Sequence, residues 1–180
     1  MATNCVISAG YSLGCWGTGG VKNVWIANYS GSATFTKDAS EIVTATTDLN
    51  RYFKLEQDIE AASFNEVITN SAENGTNFFE STVGIKLFNN NADTRLLIKS
   101  LAVAPTRIVI QDNNDNLWFM GETTAVRVSE GTRGFGQALG DMNGASLTFT
   151  YKSANPVLSV ATAAVSASQT ATKFWLQSFS

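Results

Sequence analysis

The stretch NFFESTVGIKLF, residues 77–88, decides the fold. Phe79, Val83, Ile85 and Leu87 recur at alternate positions and form a nearly apolar face. Glu80, Thr82 and Lys86 lie on the other face, which is the period-two pattern of a half-buried strand. Asn74-Gly75 stands just before it, a pair whose backbone freedom suits the tight turn of a hairpin. SFNEVIT, residues 63–69, reads as a preceding strand. Sandwich strands usually run about five or six residues, so a hairpin this long is expected to overhang its own domain. A half-polar overhang can complete a sheet with neighbouring copies.

The alternation continues on both sides of this hairpin. VKNVWIANY (21–29) places Val24, Ile26 and Asn28 on one face and Trp25 and Ala27 on the other. SATFTKDASEIVTATT (32–47) reads as two short strands joined by a polar turn around Lys37 and Asp38. RYFKLEQD (51–58) opposes Tyr52, Lys54 and Glu56 to Phe53 and Leu55. Beyond residue 88, Asn91 can cap a helix of about 12 residues, with Asp93 in its first turn. Leu96, Leu97, Leu101 and Val103 form its apolar stripe up to Pro105. TRIVIQD and LWFMGET form a second hairpin about the turn NNDN, followed by AVRVSE. GTRGFGQALGDMNG (131–144) then reads as a Gly-rich, flexible loop, and ASLTFTYK as a strand with Leu147, Phe149 and Tyr151 opposite Thr148 and Thr150.

The expectation is a mainly β protein, a β-sandwich or small barrel with one flanking α-helix and extended N- and C-terminal arms. Its segments are an arm at 1–20, a β domain at 21–156 and an arm at 157–180. The first arm is broken by Gly10, Gly14, Gly17, Gly19 and Gly20, and its Tyr11 and Trp16 are expected to anchor it on a surface, its own or a neighbour's. The last ends in Phe174, Trp175, Leu176 and Phe179. That apolar end is expected either to meet another copy or to pack back on its own domain.

The 180 residues suit one domain with a self-sufficient core. Charged residues make up 15%, well under the usual ~25%, and Thr, Ser, Asn, Gly and Ala fill the gap. Neutral polar surface is cheaper to desolvate in a repeated contact than charged surface. A net charge of −3 argues against a protein that grips phosphate backbones through Lys and Arg. It fits a surface that lets DNA pass without sticking. The absence of His removes the commonest general base and metal ligand. Cys5 and Cys15 could form a bridge, supply half a metal site or stay as buried thiols, and unpaired thiols are the expectation. The start MATNCVISAG lacks the basic-then-apolar pattern of a secretory signal, and no stretch has the ~20 apolar residues of a membrane span. A soluble protein made in the cytoplasm is expected.

Three motifs invite a chemical reading, and each has a plainer one. GTRGFGQALG lacks the Gly-Lys-Ser/Thr ending of a phosphate loop. DNNDN (112–116) lacks the Gly and bidentate Glu of a calcium loop and reads as a hairpin turn. Glu56, Asp58, Glu60 and Glu66 lie near one another in sequence, but nothing marks two of them as a hydrolytic pair. No catalytic residue, cofactor or metal site is expected, and the chain is not read as an enzyme.

The order of elements carries a resemblance. GGVKNVWIANY, NGTNFFESTVGIKL, a short helix ending LAVAP, RIVIQDNNDNLWFMGE and GQALGDMNGASLTFTYKSANP together resemble structural proteins of phages and prophages of the Bacteroides group, in the tail tube class. The most specific pieces are Gly19-Gly20, DNNDNLWFMGE and Gly140-Asp141-Met142-Asn143-Gly144. The likeness covers about residues 5–156, and the segment 157–180 departs from the shorter pattern of the class. It implies the fold shared with type VI secretion tubes, and hexameric, stacked rings whose inner sheets join around a DNA-conducting channel. The strands at 52–69 and 76–88 match the place of the inner sheet. Glu80, Thr82 and Lys86 would face the channel if the apolar set faces the core. Trp16, Asn74, Gly75, Phe174, Trp175 and Phe179 are the candidate inter-subunit residues. The partners implied are sister copies, other tail proteins such as a tape measure, terminator or adaptor, and DNA passing without specific binding; no membrane is involved. The place implied is the virion tail, after assembly in the host cytoplasm. Two other readings stand beside it: a ring or adaptor protein of a short tail, and a carbohydrate-binding module of a tail tip or fibre.

Overall fold

The computed structural model describes residues 11, 17–46, 52–58, 60–71 and 73–161. Eleven strands and one helix follow in the order β1 (Val21–Asn28), β2 (Phe35–Lys37), β3 (Val43–Thr46), β4 (Phe53–Leu55), β5 (Ser63–Ser71), β6 (Thr76–Phe88), α1 (Ala92–Val103), β7 (Thr106–Asp112), β8 (Leu117–Met120), β9 (Arg127–Gly134), β10 (Gly144–Ser153) and β11 (Leu158–Val160). They form a seven-stranded sheet, β2-β3-β11-β8-β7-β1-β4, and a four-stranded sheet, β5-β6-β10-β9. The architecture is a mainly β sandwich, and the two sheets do not close into a barrel.

Alternation sets the core between the sheets. Val24 and Ile26 of β1, Ile108 and Ile110 of β7 and Met120 of β8 face Val83 and Ile85 of β6 and Leu147, Phe149 and Tyr151 of β10. Burying a side chain such as Phe149 contributes about 2–3 kcal/mol. A second buried cluster holds Trp25, Ala27, Val109, Leu117 and Phe119, the residues that alternate with the first set along β1, β7 and β8. The Phe35 ring of β2 packs at a tilt on Phe119 within it, with centroids 5.0 Å apart. The central strands are thus buried on both faces, which is why VWIA (24–27) and IVI (108–110) are unbroken apolar runs and not alternating ones.

α1 keeps the expected start and length. Asn91 caps it by accepting from Thr94 N at 2.7 Å, and Asp93 sits in the first turn. The inward face differs from the expected stripe. Leu101 is buried and Ile98 packs beside it on the core, while Leu96 and Val103 are 56% and 76% exposed. The four chosen residues span too much of the helix circumference for one face, and only the side turned to the core is covered.

Three other placements differ from expectation. Residues 131–134 are strand, the end of β9, because Gly131 and Gly134 pair with Leu147 and Gly144 of β10. The segments at 52–69 and 76–88 do not share one sheet: β4 pairs with β1 in the larger sheet, while β5 and β6 belong to the smaller. β11 lies within the span 157–180 read as an arm, yet it joins the larger sheet, antiparallel to β8 and parallel to β3.

Candidate functional site

The β5–β6 hairpin has the register its sequence implies, from Ser63 opposite Gly84 to Ser71 opposite Thr76. β10 flanks β6 only as far as Phe79, opposite Ser153. Beyond that rung the hairpin extends without its inner neighbour. Three rungs, Thr69–Phe78, Asn70–Asn77 and Ser71–Thr76, lie past it, and on the last shared rung Ile68, opposite Phe79 and of the inward parity of Phe64 and Glu66, is already 65% exposed. The overhang read from strand length is therefore present. Asn74 and Gly75 sit exposed at its tip, where Gly75 takes φ +62° and Asn74 N donates to Ser71 Oγ at 3.3 Å.

Glu80, Thr82 and Lys86 share the face of β6 turned away from the core, since the opposite set, Ser81, Val83 and Ile85, is buried. Registers add their row-mates. Lys152, Thr150 and Ser146 of β10 stand opposite Glu80, Thr82 and Lys86, and Asn65 of β5 flanks Thr82 from the other side. Lys152 meets Glu80 at 3.3 Å, which balances the two charges. At the far edge Ser129 is the extra residue of a bulge in β9, and it receives the Thr150 hydroxyl at 2.9 Å. The result is a hydroxyl-rich face that also carries Lys86, with Glu130 and Arg127 of β9 opposite Thr148 and Thr150. Alternation in ASLTFTYK already set Thr148 and Thr150 on a polar side, but only the β6–β10 register says which residues they adjoin.

The sheet carrying this face has two outer edges. Neither β5 nor β9 has a second strand partner among the described residues. β9 bears a bulge and the charges Arg127, Glu130 and Arg133, and α1 packs beside it. β5 is less guarded: nine residues with no Pro, no bulge and no Lys or Arg. Its Glu66 turns inward, where the carboxylate accepts from Ser81 Oγ at 2.9 Å and Val157 N at 3.0 Å. That use sets Glu66 apart from a hydrolytic pair.

Two of the three most specific pieces of the resemblance, Gly19-Gly20 and the DNNDN turn, meet in space. Asn113 Nδ2 donates to Gly19 O at 2.6 Å, Asn113 N to Gly20 O at 3.2 Å, and Asn114 exchanges bonds with both backbone groups of Thr18 at 2.9 Å. Lys22 adds an ion pair to Asp115 at 2.6 Å. Asp112 organises this turn, because its carboxylate accepts from Asn114 N, Asn116 N, Asn116 Nδ2 and Trp118 Nε1. Burial pushes the Asp112 carboxyl up, and these hydrogen bonds outweigh it and hold the group below the ordinary value. In the loop 135–143 the Asp141 carboxylate accepts from Ala138 N and Gln137 N at 2.8 and 2.7 Å, and these bonds lower its pKa. The chain's own anion occupies the N–H groups a phosphate would need. Trp25 is buried and Trp118 half-buried, so neither contributes to an exposed aromatic platform.

Among the described residues no cluster of three or more Cys, Asp or Glu side chains could hold a metal, and no helix is long and apolar enough to cross a membrane. Trp16, Phe174, Trp175 and Phe179 lie outside the described residues, as do Cys5 and Cys15. No protein-family model and no curated protein matches the chain.

Proposed function

We propose that this chain is a virion structural protein, a subunit of a phage tail tube that associates edge to edge into rings stacked around a DNA-conducting channel, with no catalytic role. The observation that carries the reading is the four-stranded sheet, whose edges β5 and β9 have no further strand partner among the described residues and which presents a hydroxyl-rich face of mixed charge away from the core.

Strand direction makes such a ring self-consistent. Every neighbouring pair in the sheet is antiparallel, so β5 and β9 run in opposite directions. A rotation about an axis along the strands preserves direction, so β9 of one copy meets β5 of the next antiparallel. Repeating that head-to-tail contact closes a ring and leaves no unpaired edge. The outward row of Thr82, Thr148, Thr150 and Ser146 then lines the bore, and the Glu80–Lys152 pair adds no net charge. Lys86, Arg127 and Lys152 alternate on this face with Glu80 and Glu130, so a phosphate backbone meets mixed charges and no continuous basic stripe, which suits passage over binding.

The test is sedimentation of the full chain over a range of concentrations, with Val67→Lys as comparison. Val67 lies on the outward side of β5 opposite Glu80, so a lysine there meets a carboxylate within its own hairpin but blocks an approaching strand. The reading expects large closed oligomers from the wild type, and monomers with an unchanged melting temperature from the variant. Association that stops at a dimer would replace ring closure with a two-fold β5–β5 contact.

A further inference from the structure

The chain holds two Asn-Gly pairs, Asn74-Gly75 and Asn143-Gly144, and the fold gives them opposite surroundings. Asn74 and Gly75 are exposed at the hairpin tip, and nothing lies within 4 Å of where a Cβ on Gly75 would sit. The tip lies beyond the last β6–β10 rung, Phe79 with Ser153, so its opening breaks rungs of the β5–β6 pair alone. Gly144 is buried within its sheet, paired on one side with Phe88 and on the other with Gly134. A Cβ there would stand 2.2 Å from the Leu87 carbonyl oxygen, and Asn143 O accepts from Asn89 N at 3.1 Å.

We infer that Asn74 is a self-modification site, deamidating through its own backbone, while Asn143 is protected by the fold. The Gly75 backbone nitrogen attacks Asn74 Cγ and loses its proton to solvent. The new N–C bond closes a succinimide as the Cγ–Nδ2 bond breaks, and Nδ2 leaves as ammonia. Water then opens the ring at one of its two carbonyls, giving an aspartate or an isoaspartate at this position. Gly75 offers no side chain to hinder the attack. Either product puts a negative charge beside Glu73 at the tip, and the isoaspartate also adds one atom to the main chain of the turn. The modification does not depend on the ring reading; any effect on assembly does.

The experiment incubates the full chain in mildly alkaline buffer and follows both sites by peptide mass mapping, with isoaspartyl methyltransferase labelling. A parallel sample in urea serves as reference. Conversion at Asn74 is expected to run about tenfold or more faster than at Asn143 in the folded chain, with the two rates converging in urea, because only the fold restrains Asn143. Equal rates in the folded chain, an Asn74 that survives folded while it converts in urea, or a difference that persists in urea would each overturn the inference.

Discussion

Four donors converge on the Asp112 carboxylate, at distances from 2.8 to 3.3 Å, and the turn they shape holds Thr18, Gly19 and Gly20. Asp112→Ala releases all four, and for a partly solvated carboxylate the expected cost is about 1–2 kcal/mol in urea unfolding. The pH dependence follows from the depressed pKa of the folded state. Asp112 binds its proton more weakly folded than unfolded, so its stabilisation is present above the ordinary carboxylate range, about pH 4, and is lost as the pH falls through the lower folded value. Asp112→Asn should flatten that acid limb of the stability curve, and an unchanged limb would remove Asp112 from the account. Gly144 works by proximity. Its Cβ position collides with the Leu87 carbonyl inside the β6–β10 ladder, so Gly144→Val is expected to cost more than about 3 kcal/mol through overpacking and to abolish soluble expression. Arg107 is buried, donating through Nε to Gly121 O at 3.0 Å and through a second nitrogen to Ser30 O, with its guanidinium 4.6 Å from the Tyr29 ring.

Helix α1 gives the clearest contrast at the level of one element. Leu101 is 6% exposed and part of the core, whereas Leu96 is 56% exposed. Leu101→Ala should lower stability by about 2–4 kcal/mol, and Leu96→Ala by less than about 0.5 kcal/mol, both read by chemical denaturation. The helix's position was legible because a cap and Pro105 are local signals. Its inward side was not, since that depends on which face the core covers. The long hairpin was legible for the same local reason: Asn74-Gly75 fixes the turn, and alternation from Phe79 to Leu87 fixes the face. Residues 131–134 misled because glycine reads as a breaker. In the fold Gly131 makes room for Leu147, whose Cδ2 would lie 2.8 Å from an added Cβ. β4 and β11 are three residues each, too short to carry a register, so their sheet could not be read from sequence. The polar face was half legible. Glu80, Thr82 and Lys86 lie on one strand, but the Lys152, Thr150 and Ser146 opposite them come from another strand far along the sequence.

At the scale of the molecule, the larger sheet is buried on both faces along its centre, while the smaller, among the described residues, presents one face and two edges outward. That asymmetry is the physical basis for a subunit whose smaller sheet is completed by sister copies. Unpaired strand edges seek a partner unless they are guarded, and β5 carries few guards. Electron microscopy of the concentrated full-length chain tests this most directly. The account predicts rings or stacked tubes with an open axial channel, in which β5 of one copy lies against β9 of the next. A uniform population of monomers at every concentration, with both edges exposed to solvent, would contradict it.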